Sequence, residues 1–143
     1  MWKSLDWKDY ELLDCADGER LERWGSYLLV RPDPQAVWQT SRRHPGWKRF
    51  DARYHRSERG GGHWENLRLP ENWTIQYKNL TFNIKPMSFK HTGVFPEQAS
   101  NWDFAAARIA ARIAAGKPAR ILNLFAYTGA ATINAAAAGA QVC

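Results

Sequence analysis

The sequence lacks the features that mark several large classes of protein. Its 143 residues include only two cysteines, Cys15 and Cys143, which indicates neither a disulfide framework nor a paired-cysteine metal site. No apolar run approaches the roughly 18 residues that a membrane-spanning helix needs, and the first residues lack the apolar core of a signal peptide. The four histidines have no metal-ligand spacing. We therefore expect a cytoplasmic protein with no metal site and no membrane association.

Positive charge and aromatic rings are what the sequence has in excess. The net charge is +6, and eight residues are tryptophan, a ring often half-buried at binding surfaces. Residues 41–60 hold seven basic residues against two acidic ones. Cations interleaved with rings are typical of surfaces that bind single-stranded nucleic acid, although a solvated loop is the alternative. The candidate RNA-contacting residues are Arg42, Arg43, Trp47, Lys48, Arg49, Arg53, Arg56 and Arg59.

Residues 1–88 predict a small β-rich domain that faces the substrate. Asp17-Gly18 separates two apolar runs, and this dipeptide favours a hairpin because both residues tolerate positive φ. Residues 31–68 show no steady period, and we interpret them as a long surface excursion. Apolar residues alternate over 73–84 on both sides of a short polar turn, which predicts a second hairpin.

Residues 89–143 change to an alanine-rich helix–strand–helix pattern. A capping box at Ser100 and apolar residues at helical spacing predict a helix that stops at Gly116. The apolar run 121–125 predicts a buried strand, and the alanines after it predict a second helix. Strand, turn and helix in this order begin a βαβ unit. We expect an α/β protein in which the β-rich domain precedes the start of a truncated Rossmann-like domain.

The turn between that strand and the second helix is the candidate ligand site. In open parallel sheets, ligands bind beyond the carboxyl ends of the strands, where the next helix directs its N–H groups. Gly129 allows close approach, while Tyr127 and Thr128 supply a ring and a hydroxyl. A lone glycine is not the G-x-G-x-x-G motif, which argues against a nicotinamide-binding fold. On spacing alone, a strand–turn–helix without any ligand is an equal alternative.

Two motifs in this half resemble those of one enzyme family. The segment 121–129, Ile-Leu-Asn-Leu-Phe-Ala-Tyr-Thr-Gly, followed by Gly139-Ala140, resembles the first cofactor motif of certain class I S-adenosylmethionine-dependent methyltransferases. These are the enzymes similar to the 23S ribosomal RNA cytosine-5 methyltransferases. The segment 89–98 with Asn101-Trp102 resembles the stretch that joins the family's small β domain to its catalytic domain. The likeness is clear over residues 73–143 and general before them, and it departs from the family at Ala130, where a second glycine is more usual.

The resemblance implies a cofactor, a substrate and a set of contacts. The cofactor would be S-adenosyl-L-methionine, and an RNA base would accept the methyl group. Trp102, which the resemblance places at the cofactor, could also be ordinary helix core. The cofactor-binding residues that it implies are Lys90, His91, Phe95, Gln98, Trp102, Asn123, Phe125, Tyr127, Thr128 and Gly129.

The resemblance also bears on whether the chain is active. In the family, an acidic residue after the second strand holds the ribose, and an Asp/Asn-Pro-Pro motif positions the base. The 143 residues contain neither feature. The catalytic residues are therefore unknown, and we expect a fragment without turnover of its own. The alternative function is an RNA-binding module without cofactor or catalysis. The sequence does not indicate the target RNA or the oligomeric state.

Overall fold

A computed structural model of the chain describes Lys3 and residues 5–143. The described residues exclude Met1, Trp2 and Ser4. The prediction that the chain begins without a signal peptide falls partly on these three residues. The fold is mixed α/β, as predicted. One compact unit is Trp7–Gly93, and the other is Val94–Cys143 with the described residues before Trp7. The domain assignment with a boundary after residue 88 stays a prediction.

The unit Trp7–Gly93 contains a five-stranded sheet. Neighbouring strands are antiparallel except for the third and fourth, which pair in parallel. The hairpin predicted at Asp17-Gly18 is confirmed, since φ is +51° and +74° at these two residues. In order across the sheet, the strands are β1 (Tyr10–Ala16), β2 (Glu19–Trp24), β3 (Tyr27–Pro32), β4 (Ala52–Arg56) and β5 (Gly62–Asn66).

Strands β4 and β5 show that the interpretation of residues 31–68 as a surface excursion is wrong. In β4, Ala52 and Tyr54 are buried, whereas Arg53 between them points to the other face of the sheet. The buried positions are too few to produce a visible period. The parallel pairing of Ala52 with Leu29 also joins residues far apart in sequence, which no local pattern reveals.

The second predicted hairpin is confirmed in the same unit. Strands β6 (Trp73–Tyr77) and β7 (Leu80–Ile84) pair antiparallel, and Lys78 in their turn has a φ of +53°. One face of the hairpin is buried through alternate residues, as period-two patterning requires.

A buried ion pair joins strands β2 and β3 of the five-stranded sheet. Glu22 and Arg31 are 0% and 1% exposed, and the guanidinium donates from Nε and Nη2 to the two carboxylate oxygens at 2.6 and 2.7 Å. The Tyr10 hydroxyl donates to the same carboxylate at 2.8 Å. Burial alone would raise the pKa of Glu22, but the charge and hydrogen bonds of Arg31 outweigh it and the pKa is lowered. The charges of Glu22 and Arg31 are therefore paired and hydrogen-bonded where they are buried.

The second unit has two helices and a short parallel sheet. Its elements are α1 (Ala99–Ala114), β8 (Arg120–Ile121), α2 (Ala130–Ala137) and β9 (Gln141–Val142), with β8 parallel to β9. The stop at Gly116 is confirmed by its φ of +71°. The capping box is wrong, because α1 begins one residue before Ser100, whose hydroxyl donates back to the Glu97 carbonyl at 3.4 Å. The core is small, with Ile109, Ala119 and Ala135 at its centre.

The predicted strand 121–125 is shorter than expected. The last backbone hydrogen bond between this segment and the end of the chain is the one that the Asn123 N–H donates to the Cys143 carbonyl at 2.8 Å. The chain turns after Asn123. Leu122 and Leu124 are each 67% exposed and Phe125 is fully exposed, so burial of this run is wrong. An apolar run becomes a buried strand only where neighbouring elements cover both of its faces.

No helix among residues 5–143 has the length and apolar character that a bilayer crossing requires.

Candidate functional site: a neutral cavity beyond strand β8

A cavity of about 350 Å³ opens within the unit Val94–Cys143. It lies at the carboxyl end of β8, where parallel sheets bind ligands. Four segments form the wall: the residues before α1, one face of α1, the loop from β8 into α2, and the first turns of α2. The lining residues are Val94, Phe95, Gln98, Asn101, Trp102, Ala105, Asn123, Leu124, Phe125, Ala126, Tyr127, Ala130, Ala131 and Asn134.

The loop from β8 into α2 has an unusual backbone. Phe125 and Tyr127 have φ values of +56° and +54°, and Gly129 has +88°. The left-handed region is costly for residues that carry a Cβ, and residues held there concentrate at binding sites. Ala130 is the first residue of α2 and is not among the residues with positive φ. Alanine in place of the family's second glycine is therefore accommodated without strain.

Aromatic side chains supply the apolar part of the wall. The rings of Phe95 and Tyr127 lie 5.0 Å apart and are tilted by 37°. Trp102 is 4% exposed and also lines the cavity. This burial is that of a helix-core residue, and whether Trp102 contacts a cofactor stays a prediction. Flat rings of this kind suit a planar or cationic ligand group.

Amide side chains supply the polar part of the wall. Among the described residues that line the cavity, none carries a charge. The side-chain Nδ2 of Asn101 donates to Gln98 Oε1 at 2.9 Å, and the side-chain Nδ2 of Asn123 donates to Thr132 Oγ1 at 2.8 Å. Asn134 is 8% exposed, and its Oδ1 is buried without a hydrogen-bond partner in the part of the chain that the structure describes. Recognition in this cavity therefore depends on hydrogen bonds and dipoles rather than on ion pairs.

The structure brings most of the predicted cofactor residues to this one cavity. Thr128 and Gly129 are not in the lining, but they form the turn that shapes it, in which the Gly129 amide donates to the Ala126 carbonyl at 2.8 Å. Whether any of these residues contacts a cofactor stays a prediction. The predicted residues in the lining are Phe95, Gln98, Trp102, Asn123, Phe125 and Tyr127.

Lys90 and His91 belong to the other unit, Trp7–Gly93. The Lys90 ammonium donates to the Pro32 carbonyl at 3.1 Å, and its own carbonyl accepts from Arg31 at 3.0 Å. Partial burial, followed by the charges of Arg20 and Arg31, lowers the pKa of Lys90. The cofactor contacts of Lys90 and His91 stay predictions.

Sequence reasoning missed several residues of the wall, of which Asn134 is the most informative. Ala130, Ala131 and Asn134 fall three and four residues apart, so they share one face of α2. That spacing was visible in the sequence once the turn at Gly129 was chosen as the site. The missed lining residues are Val94, Asn101, Ala105, Leu124, Ala126, Ala130, Ala131 and Asn134.

The predicted RNA-contacting residues divide into two groups. Arg42 pairs with Asp17 and Glu19 at 3.3 and 2.8 Å, and its guanidinium lies 4.5 Å from the centre of the Trp47 ring. Arg53 donates to both oxygens of Glu19. The charges of Arg42 and Arg53 are therefore largely matched within the protein, and one face of Trp47 is covered.

The other five predicted cations are exposed on the same unit. Among the described residues, none of the five has an ion-pair partner. Two of them stand near the tip of the β4–β5 hairpin, where Gly60 and Gly61 have positive φ. These five side chains are the ones able to meet phosphate groups without first breaking an ion pair: Arg43, Lys48, Arg49, Arg56 and Arg59.

The structure is similar to three solved structures of methyltransferases and candidate methyltransferases. A SAM-dependent methyltransferase from Agrobacterium tumefaciens matches with a TM-score of 0.86 and 36% identity over 97% of this chain and 44% of its own. A candidate SAM-dependent methyltransferase from Streptococcus mutans matches with a TM-score of 0.61 and 19% identity over 94% of this chain and 37% of its own. A candidate methyltransferase in complex with SAH matches with a TM-score of 0.60 and 20% identity over 94% and 37% of the two chains.

These comparisons define the class of fold. The described chain has the architecture of part of a SAM-dependent methyltransferase, and it spans less than half the length of each of the three solved chains. No protein-family model and no curated protein matches the chain.

Proposed function

We propose that this chain is part of an S-adenosylmethionine-dependent methyltransferase and that its cavity holds the cofactor. The observation that carries the proposal is the match at 36% identity over 97% of this chain, together with a cavity at the expected end of β8. The wall suits this ligand, because rings can face a sulfonium group and amides can bond a polar nucleoside and amino-acid tail.

Titration calorimetry with S-adenosylhomocysteine tests the cofactor assignment directly. We expect saturable binding with one site per chain and no heat from NADH, since the loop lacks the nicotinamide motif. Absence of binding by S-adenosylhomocysteine and by S-adenosylmethionine would refute the assignment. A cofactor-free RNA-binding module would then be the better description.

We further propose that the substrate is RNA and that the finer class is the one similar to the 23S ribosomal RNA cytosine-5 enzymes, in the cytoplasm. Support comes from the motifs at 89–98 and 121–129 and from the five exposed cations without ion-pair partners. Such cations release counterions from RNA when they bind its phosphates, so the affinity of the chain for RNA should fall steeply as the salt concentration rises.

Paired arginine variants test the RNA proposal. We expect Arg56→Ala with Arg59→Ala to lower the affinity for single-stranded RNA about tenfold and to reduce the salt slope by about 1 to 1.5, from about 0.7 per lost phosphate contact. Arg108→Ala, an exposed arginine outside the basic segment, is the matched control. Filter binding at several salt concentrations gives both quantities, and equal losses in the two proteins would count against the assignment.

Turnover is a separate proposal. Because the chain spans 44% of the length of the Agrobacterium tumefaciens enzyme, we propose that the 143-residue polypeptide binds its ligands without transferring a methyl group. Incubation with radiolabelled S-adenosylmethionine and total ribosomal RNA checks this, and incorporated label would overturn it.

A further inference from the structure

One residue of the cavity breaks the pattern of its own helix. Helix α2 has the sequence Ala-Ala-Thr-Ile-Asn-Ala-Ala-Ala over Ala130–Ala137. Asn134 is the only residue of this helix with an amide in its side chain. Asparagine is a weaker helix former than alanine. It is also buried, with Oδ1 unpartnered, and a buried polar atom without a partner is destabilising. Alanine at this position would avoid both penalties, so folding does not explain the asparagine.

The position of Asn134 indicates what the side chain faces. It lies one turn after Ala130 and Ala131, and all three line the cavity. Side chains on a helix lean toward its N-terminus, which here is the end at the cavity. Trp102 and Ala105 of α1 also line the cavity, and neither has a side-chain acceptor to compete for a donor.

The start of α2 adds a complementary feature. Its N-cap is Gly129, which has no side chain to bond the first-turn amides. Ala130 and Ala131 of that first turn line the cavity. Unbonded amides at a helix start attract a negative group, whereas the Asn134 oxygen attracts a hydrogen-bond donor. Donor amides for a carboxylate and an acceptor oxygen for an ammonium group, one turn apart, match the two ends of an α-amino acid group.

We infer that Asn134 is a cofactor-binding residue whose Oδ1 accepts a hydrogen bond from the α-ammonium group of the cofactor's amino-acid end. This inference rests on the proposed function of the cavity. The oxygen is buried, and rotation about the Cβ–Cγ bond, a soft torsion, would turn it toward a ligand in the cavity. The amide thereby selects a ligand that carries an amine.

Two ligands and two variants test the role of Asn134. S-adenosylhomocysteine carries the amino-acid end, and methylthioadenosine has the same nucleoside and thioether without it. In Asn134→Ala we expect the affinity for S-adenosylhomocysteine to fall about tenfold, the effect of one hydrogen bond to a charged group, while the affinity for methylthioadenosine changes less than about twofold. Asn83→Ala, an exposed asparagine on β7, is the matched control and should leave both affinities unchanged.

Thermal unfolding of the same proteins separates binding from folding. Asn134→Ala should unfold at the wild-type temperature or above it, because alanine is the better helix former. Equal affinity of wild type and Asn134→Ala for S-adenosylhomocysteine would overturn the inference alone. Equal losses for both ligands would also overturn it and would mean a structural role. If the wild type binds neither ligand, the proposed function fails and the inference fails with it.

Discussion

The two units of the chain bury polar side chains in different settings. In Trp7–Gly93, the buried charges of Glu22 and Arg31 bond each other, although other buried polar atoms of that unit, such as Thr92 Oγ1, have no hydrogen-bond partner among the described residues. In Val94–Cys143, the buried side-chain oxygen of Asn134 also lacks a partner among those residues, and Asn134 lines the cavity. An unpartnered polar atom in a cavity wall is available to a ligand, so its place in the cavity, and not its bonding alone, separates binding site from scaffold.

Breaking the buried ion pair of the first unit should give the largest effect. Glu22→Gln leaves Arg31 buried without its counter-charge, and we expect a loss of about 3–5 kcal/mol in the free energy of unfolding. Denaturant unfolding followed by tryptophan fluorescence measures the loss, since Trp24 lies 5.0 Å from the guanidinium.

A matched control for that substitution lies on the same sheet. Glu11 pairs with Arg23 at 3.3 Å, but its side chain is 58% exposed, so Glu11→Gln should cost less than about 0.5 kcal/mol. Similar losses for the two variants would mean that burial does not determine how much an ion pair contributes to the free energy of unfolding.

The same carboxylate predicts a dependence on pH. The contribution of Glu22 to the free energy of unfolding is present above its ordinary pKa of 4.5 and is lost as pH falls through the lowered pKa of the folded state. Glu22→Gln should lack that part of the acid response.

Tyr10 gives an intermediate effect with the opposite pH dependence. Burial, followed by the neighbouring Glu22 carboxylate, raises the pKa of Tyr10 well above its ordinary value of 10.0. Its contribution is therefore complete below pH 10.0 and is lost as pH rises further, because the unfolded chain releases that proton first. Tyr10→Phe should cost about 1.5 kcal/mol at neutral pH for a hydrogen bond to a charged group and should decline less steeply above pH 10.0. Parallel curves for the two proteins would show that Tyr10 is not the group responsible.

Local patterns in the sequence predicted the parts of the fold that depend on local physics. The turn at Asp17-Gly18 and the end of α1 at Gly116 were predicted because positive φ selects those residues. The strands β4 and β5 were missed because β4 is placed by parallel pairing with β3, and that pairing joins Leu29 to Ala52, which are far apart in sequence. The run 121–125 was assigned too much burial because hydropathy shows what a segment could bury, whereas its neighbours decide what it does bury.

The candidate site shows the same limit. The residues of the turn were found through the resemblance, since they are contiguous in sequence. Asn134 was missed because its spacing from Ala130 and Ala131 indicates the cavity only once the turn is taken as the site, and the burial of its oxygen is visible only in the structure. The pairing of Arg42 and Arg53 with Glu19 was equally invisible, because the partners are distant in sequence and meet only in the folded sheet.

Release of backbone strain should give the smallest effect and the sharpest test of the difference between the units. Phe125 holds a φ of +56° in the loop before α2, and Lys78 holds +53° in the β6–β7 turn. Glycine at either position relieves the left-handed strain, offset in part by its greater freedom in the unfolded chain. We expect Phe125→Gly to slow amide hydrogen exchange in α2 about threefold, and Lys78→Gly to do the same in β6 and β7. The two variants should differ only in ligand binding: affinity for S-adenosylhomocysteine falls in Phe125→Gly, because a cavity wall residue is lost, and is unchanged in Lys78→Gly.

If Phe125→Gly gains protection and keeps its affinity, the strain at Phe125 does not serve the cavity, and the distinction between scaffold and site fails at this loop.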